Sequence, residues 1–129
     1  MRHVSDFSRE NRLMRPGDRI LQRINGLALF GLSWALVDGL TMNEIIAVAD
    51  EPRRKRFTYA TTEAHSELGE WSAGIEWRAD DSLLVTIDSF SRPAYHVSAR
   101  MHPYMRRGQL RAHHLGMNHF QSLVLASPR

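Results

Sequence analysis

Three polar side chains crowd one short stretch of the chain, His65, Glu67 and Glu70, around Gly69. An imidazole and two carboxylates grouped at a turn are the residue types of general acid–base chemistry. Arg92, at the end of a later strand, supplies a guanidinium that can pair bidentately with a carboxylate or anchor an anionic ligand. On this reading Glu70 is a general base, and Glu70, His65 and Arg92 serve a cofactor-free hydrolase or isomerase if they converge on one cleft. The same residues suit a structural network better, because polar side chains at turns usually satisfy backbone groups locally.

Other chemistries are poorly served. His113 and His114 are adjacent, so on a helix their side chains diverge by roughly 100°. His119 follows His114 by five positions, not the three or four that align metal ligands on one face. No metal site is expected. Asn25-Gly26 and Asp38-Gly39 lack the further glycines of a phosphate loop or a dinucleotide fingerprint, so no cofactor is expected either. The chain has no cysteine, which removes disulfides and thiolate chemistry.

The elements that must position the polar residues are strands. Arg56 to Thr62 reads as one strand, leading into a turn over His65–Gly69. Trp71, Ala73, Ile75 and Trp77 then alternate with Ser72, Gly74, Glu76 and Arg78, the period-two pattern of a half-buried strand. Asp80-Asp81 turns the chain, and Leu83, Val85 and Ile87 alternate again before Phe90-Ser91-Arg92-Pro93. Pro93 cannot donate to a ladder and ends that strand or sits at its edge. Phe57, Tyr59, Trp71 and Trp77 either fill a core or line an apolar ligand cavity, and strand alternation favours the core.

Upstream, Pro16-Gly17 is a turn and Asp18 to Ile24 a strand. Asn25-Gly26 is the dipeptide a type I′ hairpin prefers, and Asp38-Gly39 is a second hairpin signal. Leu27–Val37 between them is apolar on both faces; the preceding turn and Gly31 favour a strand, although periodicity alone also allows a short helix. Glu44–Ala49 is a β-rich run closed by a turn at Glu51–Arg54. The basic run Arg53 to Arg56 fits either solvated charge on that turn or a phosphate-binding patch. After Pro93 the period changes. Met105, Gln109, Ala112, Gly116, Phe120 and Leu123 recur at spacings of three and four, which predicts a helix over Pro103–Leu125.

One long terminal helix cannot bury its apolar face alone, so it packs on the strands. The expected fold is α+β, a curved antiparallel sheet packed on one long C-terminal helix, with a natural small-molecule pocket between the layers. A chain of 129 residues with 43% apolar and 24% charged residues makes one ordinary globular domain. Residues 1–15, polar and Arg-rich, are expected to be poorly ordered or to contact a partner. Sixteen arginines against one lysine do not cluster on one element, so no nucleic-acid partner is expected. The N-terminus lacks the apolar core of a signal peptide, and Leu27–Val37 is too short to span a bilayer. A cytoplasmic location without a membrane partner follows as the default.

Four fragments occur in a fixed order: Arg56-Phe57-Thr58-Tyr59-Ala60-Thr61, His65-x-Glu67-x-Gly69-Glu70, Phe90-Ser91-Arg92-Pro93, and Pro103 through Arg106-Arg107 to Gln109. Together they resemble an uncharacterised family of bacterial and plant proteins, the domain of unknown function numbered nineteen-ninety, from about Pro16 to Phe120. The family pattern has glycines at Thr58 and Ala60, a second glutamate at Trp71 and an alanine at Ser89. The resemblance implies a helix-grip, lipid-transfer-like fold and no particular reaction. The family's N-terminal region is longer, which implies an open sheet edge here. A homodimer would cover it, with Leu27–Val37 or the exposed side of the C-terminal helix at the interface.

The leading expectation is therefore a cofactor-free module that binds an apolar or amphipathic small molecule between sheet and helix. Its candidate ligand-binding residues are Tyr59, His65, Glu67, Glu70, Ser91, Arg92 and Gln109.

Overall fold

A computed structural model describes residues 2–25, 38–63, 65, 67–96 and 98–126. Its elements are β1 (Arg2–Ser5), a short helix α1 (Asp6–Arg9), β2 (Arg19–Asn25), β3 (Asp38–Glu51), β4 (Arg54–Thr61), β5 (Glu67–Trp77), β6 (Leu83–Pro93), a 3-10 turn (Ala99–Met101) and the long helix α2 (His102–Ala126). Each strand pairs antiparallel with the next, so the sheet order repeats the chain order. The fold is α+β, an antiparallel sheet followed by one long C-terminal helix.

Short polar turns hold the meander together. Between β5 and β6, Asp81 takes a left-handed φ of 62°, which a short polar side chain tolerates better than most. Asp80 accepts bonds from both the N–H and the hydroxyl of Ser82. In β3 the register slips between Ile45 and Ala47, and such a bulge bends a strand and increases its twist.

Residues directly opposite each other in paired strands share a face. Tyr59, Trp71 and Ser89 form one such row, and Phe57, Ala73 and Ile87 the next. The helix lies over this face. Met105, Gly108, Gln109, His113, Gly116 and Phe120, among its less exposed residues, recur at spacings of one, three and four, and Gly116 sits over Ile87. Ile20, Ile45, Ala73 and Ala94 are buried, and Ile45 is fully enclosed.

Four expectations change. Residues 2–5 form the sheet's first strand, and Arg12 closes bidentately on the buried Asp18 at 2.8 and 2.6 Å. This segment is thus built into the fold. Asp38-Gly39 opens β3 opposite Ile24 and Asn25, so it is strand and not turn. β5 begins at Glu67, inside the expected turn, because Thr61 and Gly69 exchange bonds that extend the pairing. Trp77 is half exposed at the end of β5, held by Arg53 over its ring and by a bond from its indole N–H to Asp81. The Leu27–Val37 run lies outside the described residues.

Candidate functional site

The space between the sheet face and α2 is polar at one end and apolar at the other. At the polar end the hydrogen bonds run in one direction. Arg106 donates to the Gln109 carbonyl at 2.7 Å, the Gln109 amide donates to the Ser91 hydroxyl at 3.0 Å, and Ser91 donates to Glu67 at 3.4 Å. A hollow of about 400 Å³ lies there, lined by Glu67, Ser91, His102, Met105, Arg106 and Gln109.

Burial pushes the Glu67 carboxyl up from its ordinary value, and the Ser91 hydroxyl and the Arg106 charge only partly pull it back. Tyr59 is half-buried on the same face. Burial and the Glu67 charge push its phenol up to about 12. His65 accepts the Glu67 N–H on Nδ1 at 2.9 Å, which fixes its neutral form with the proton on Nε2. Burial also pushes its imidazole down.

Further along α2, the indole N–H of Trp71 donates to His113 Nε2 at 3.2 Å, and the Ser89 hydroxyl stands 3.4 Å from the same nitrogen. An indole can only donate, so His113 Nε2 carries no proton and the neutral ring holds its proton on Nδ1. Burial, aided by the Arg106 charge, lowers the His113 pKa in keeping with this. Trp71 stacks on Tyr59, with ring centroids 5.2 Å apart, and tilts against Phe57 at 5.7 Å. Beyond this aromatic group lies an apolar hollow of about 380 Å³, its walls including Met14, Phe57, Ala73, Ile75, Val85 and Phe120.

Of the candidate residues, Tyr59, Glu67, Ser91 and Gln109 come together on the face toward α2, with His65 beside Glu67. Glu70 and Arg92 do not. They occupy the alternate positions of β5 and β6, on the other face of the sheet. Glu70 is exposed there, and Arg92 stacks on Tyr95 at 4.6 Å. The expected convergence of Glu70, His65 and Arg92 is therefore not what the structure has. The basic run at the β3–β4 turn is engaged: Arg54 pairs with Glu51, Lys55 with Asp50, and Arg56 with Asp88, while Arg53 donates to the carbonyls of Trp77 and Arg78. Solvated, paired charge accounts for it.

Sequence reasoning missed Ser89 and Arg106, and weighed His113 only as a metal ligand. The signal for Arg106 and His113 was the helical spacing Arg106, Gln109, His113, which places all three toward one side of α2. Among the described residues no group of three or more His, Cys, Asp or Glu is placed to hold a metal ion.

A family model described as Domain of unknown function (DUF1990) matches residues 2–119. The match takes in β1 and α1, ahead of the Pro16 start of the resemblance. No curated protein and no solved structure matches the chain.

Proposed function

The chain belongs to this family of domains of unknown function, and from that premise we propose that the cleft between β4–β6 and α2 binds an amphipathic small molecule. The observation that carries the reading is that one face of α2 covers a polar hollow and an apolar hollow in succession over a single sheet face. Gln109 and Phe120 are eleven residues apart on the helix, roughly 16 Å along its axis. An apolar tail fits beneath Phe120, and a polar head fits the bond chain that ends on Glu67. The hollow's size lies within the usual range of small-molecule sites. The Trp71–His113 bridge lies between the two ends, so the ligand must run along it or part it.

Titration of the purified protein with a fluorescent fatty-acid-like amphipath tests the proposal. Saturable binding is expected, and Phe120→Asp should abolish it while the fold persists. Absence of saturable binding, or unchanged affinity in Phe120→Asp, refutes it.

A homodimer accompanies this reading. β6 is an edge strand of eleven residues in the described sheet, and an open edge invites pairing with a second copy. Light scattering that gives a monomer mass at micromolar concentration refutes the dimer.

A further inference from the structure

Charge is segregated along this chain. All fourteen acidic residues precede Ser89, whereas Arg92, Arg100, Arg106, Arg107, Arg111 and Arg129 follow it. The helix α2 therefore carries arginines and histidines with no carboxylate side chain of its own. The outward side of α2 is a distinct stripe. Tyr104, Arg107, Arg111, Leu115, Asn118, Ser122 and Leu125 recur at spacings of three and four, opposite the residues that face the sheet. All seven are exposed, and Tyr104, Leu115 and Leu125 are 54%, 51% and 78% exposed. Among the described residues no carboxylate forms an ion pair with Arg107 or Arg111.

Three partners could cover such a stripe, and its chemistry separates them. A second copy docked stripe to stripe would gather four arginines in one seam with no carboxylate from either helix to pair them, which is unfavourable. A nucleic acid would meet the arginines but leave Leu115 and Leu125 without an apolar counterpart. An anionic bilayer surface satisfies both. Its headgroups pair with the arginines, and its acyl boundary takes up large apolar side chains from a helix lying in the plane. No helix among the described residues is long and apolar enough to cross a membrane, so the contact is peripheral.

We infer that the outward stripe of α2 docks on an anionic membrane surface, with Arg107 and Arg111 at the headgroups and Tyr104, Leu115 and Leu125 at the acyl boundary. This surface is the reverse side of the helix that roofs the cleft, and it stands whether or not the cleft holds a ligand.

The test is co-sedimentation of the full chain with phosphatidylcholine vesicles, prepared with and without phosphatidylserine. Binding is expected only with phosphatidylserine, and high salt should release the protein. Each arginine near an anionic surface strengthens binding roughly fivefold, so Arg107→Gln with Arg111→Gln should weaken it roughly thirtyfold. Leu115→Ser leaves the charge unchanged and should also weaken it. Circular dichroism confirms that the variants fold. Phe120→Ser, which addresses the cleft without changing the charge of α2, should bind vesicles like the parent chain. Equal binding to neutral vesicles, an unaffected double arginine variant, or tighter binding to duplex DNA than to anionic vesicles would each overturn the inference.

Discussion

Removing the His113 side chain is the sharpest perturbation of the helix–sheet contact. In His113→Ala the indole N–H of Trp71 loses its acceptor, and Ser89 loses a partner 3.4 Å away. Leaving a partly buried donor unpaired costs roughly 1–3 kcal/mol. Alanine returns roughly 0.5 kcal/mol as the better helix former. The net loss is roughly 0.5–2.5 kcal/mol, a fall in Tm of roughly 2–9 °C for a domain of this size. A second signature distinguishes the bridge from a generic packing defect. The folded-state pKa of His113 is below its ordinary 6.5, so the unfolded chain takes up the proton more readily. Stability from this group is intact above about pH 6.5 and is lost as the pH falls below it. The parent chain should therefore lose more Tm between about pH 7.5 and about pH 5.5 than His113→Ala does. His65, shifted in the same direction, contributes to both proteins and cancels in the comparison. Melting curves followed by circular dichroism at the two pH values provide all four numbers. If the variant keeps the whole pH dependence of the parent, the proton on His113 is not coupled to folding and the bridge has been misread.

Tyr59, with its phenol pushed up to about 12, stays neutral in the folded protein after the unfolded chain has ionised. Stability should fall as pH rises from about 10 to about 12, and urea midpoints for Tyr59→Phe should lack that fall. Gly69→Ala would set a Cβ against the Phe90 carbonyl oxygen and 2.6 Å from Ser91 Cα, both backbone atoms of β6. A loss of roughly 1–3 kcal/mol in urea unfolding is expected, and an unchanged midpoint would show that β6 shifts freely. Trp71→Ala should cost about 3 kcal/mol, and Trp77→Ala about 1 kcal/mol because that ring is half exposed. Equal losses in denaturant melts would mean that burial along β5 has been misjudged.

Much of the architecture was legible because the strands and the helix announce themselves by different periods. The alternation from Trp71 and that from Leu83 gave β5 and β6, and the spacing from Met105 gave α2 to within a residue at each end. Local signals failed where pairing overrode them. Asp38-Gly39 carries turn chemistry, yet its opposition to Ile24 and Asn25 makes it strand. Nothing in a polar, Arg-rich start indicates β1, whose existence depends on pairing with Leu21 and its neighbours and is reinforced beyond it by the buried Asp18 capturing Arg12. Trp77 follows the alternation faithfully and is still half exposed, because alternation fixes the face of a sheet and not how far its cover extends.

The error at the site has the same origin, and it decides which carboxylate matters. Reading His65 to Gly69 as a turn leaves Glu67 and Glu70 free to point anywhere, and it is this freedom that allows Glu70 to be read as a general base. Once β5 begins at Glu67, the alternation that places Trp71 toward α2 extends backward without a break, since the β5–β6 register is regular throughout. Glu67 and Gly69 then share the Trp71 face, and Glu70 falls on the Ser72 face with Arg92 alongside in the next strand. Gly69 sits between them where β6 passes too close for any side chain. That close approach is also what places Ser91 opposite Gly69, able to reach Glu67 on one side and Gln109 of α2 on the other. The polar end of the cleft is thus a consequence of strand parity together with one glycine. A substitution that forces β6 away at Gly69 should disturb the Glu67–Ser91–Gln109 bonds before it disturbs the apolar end beneath Phe120.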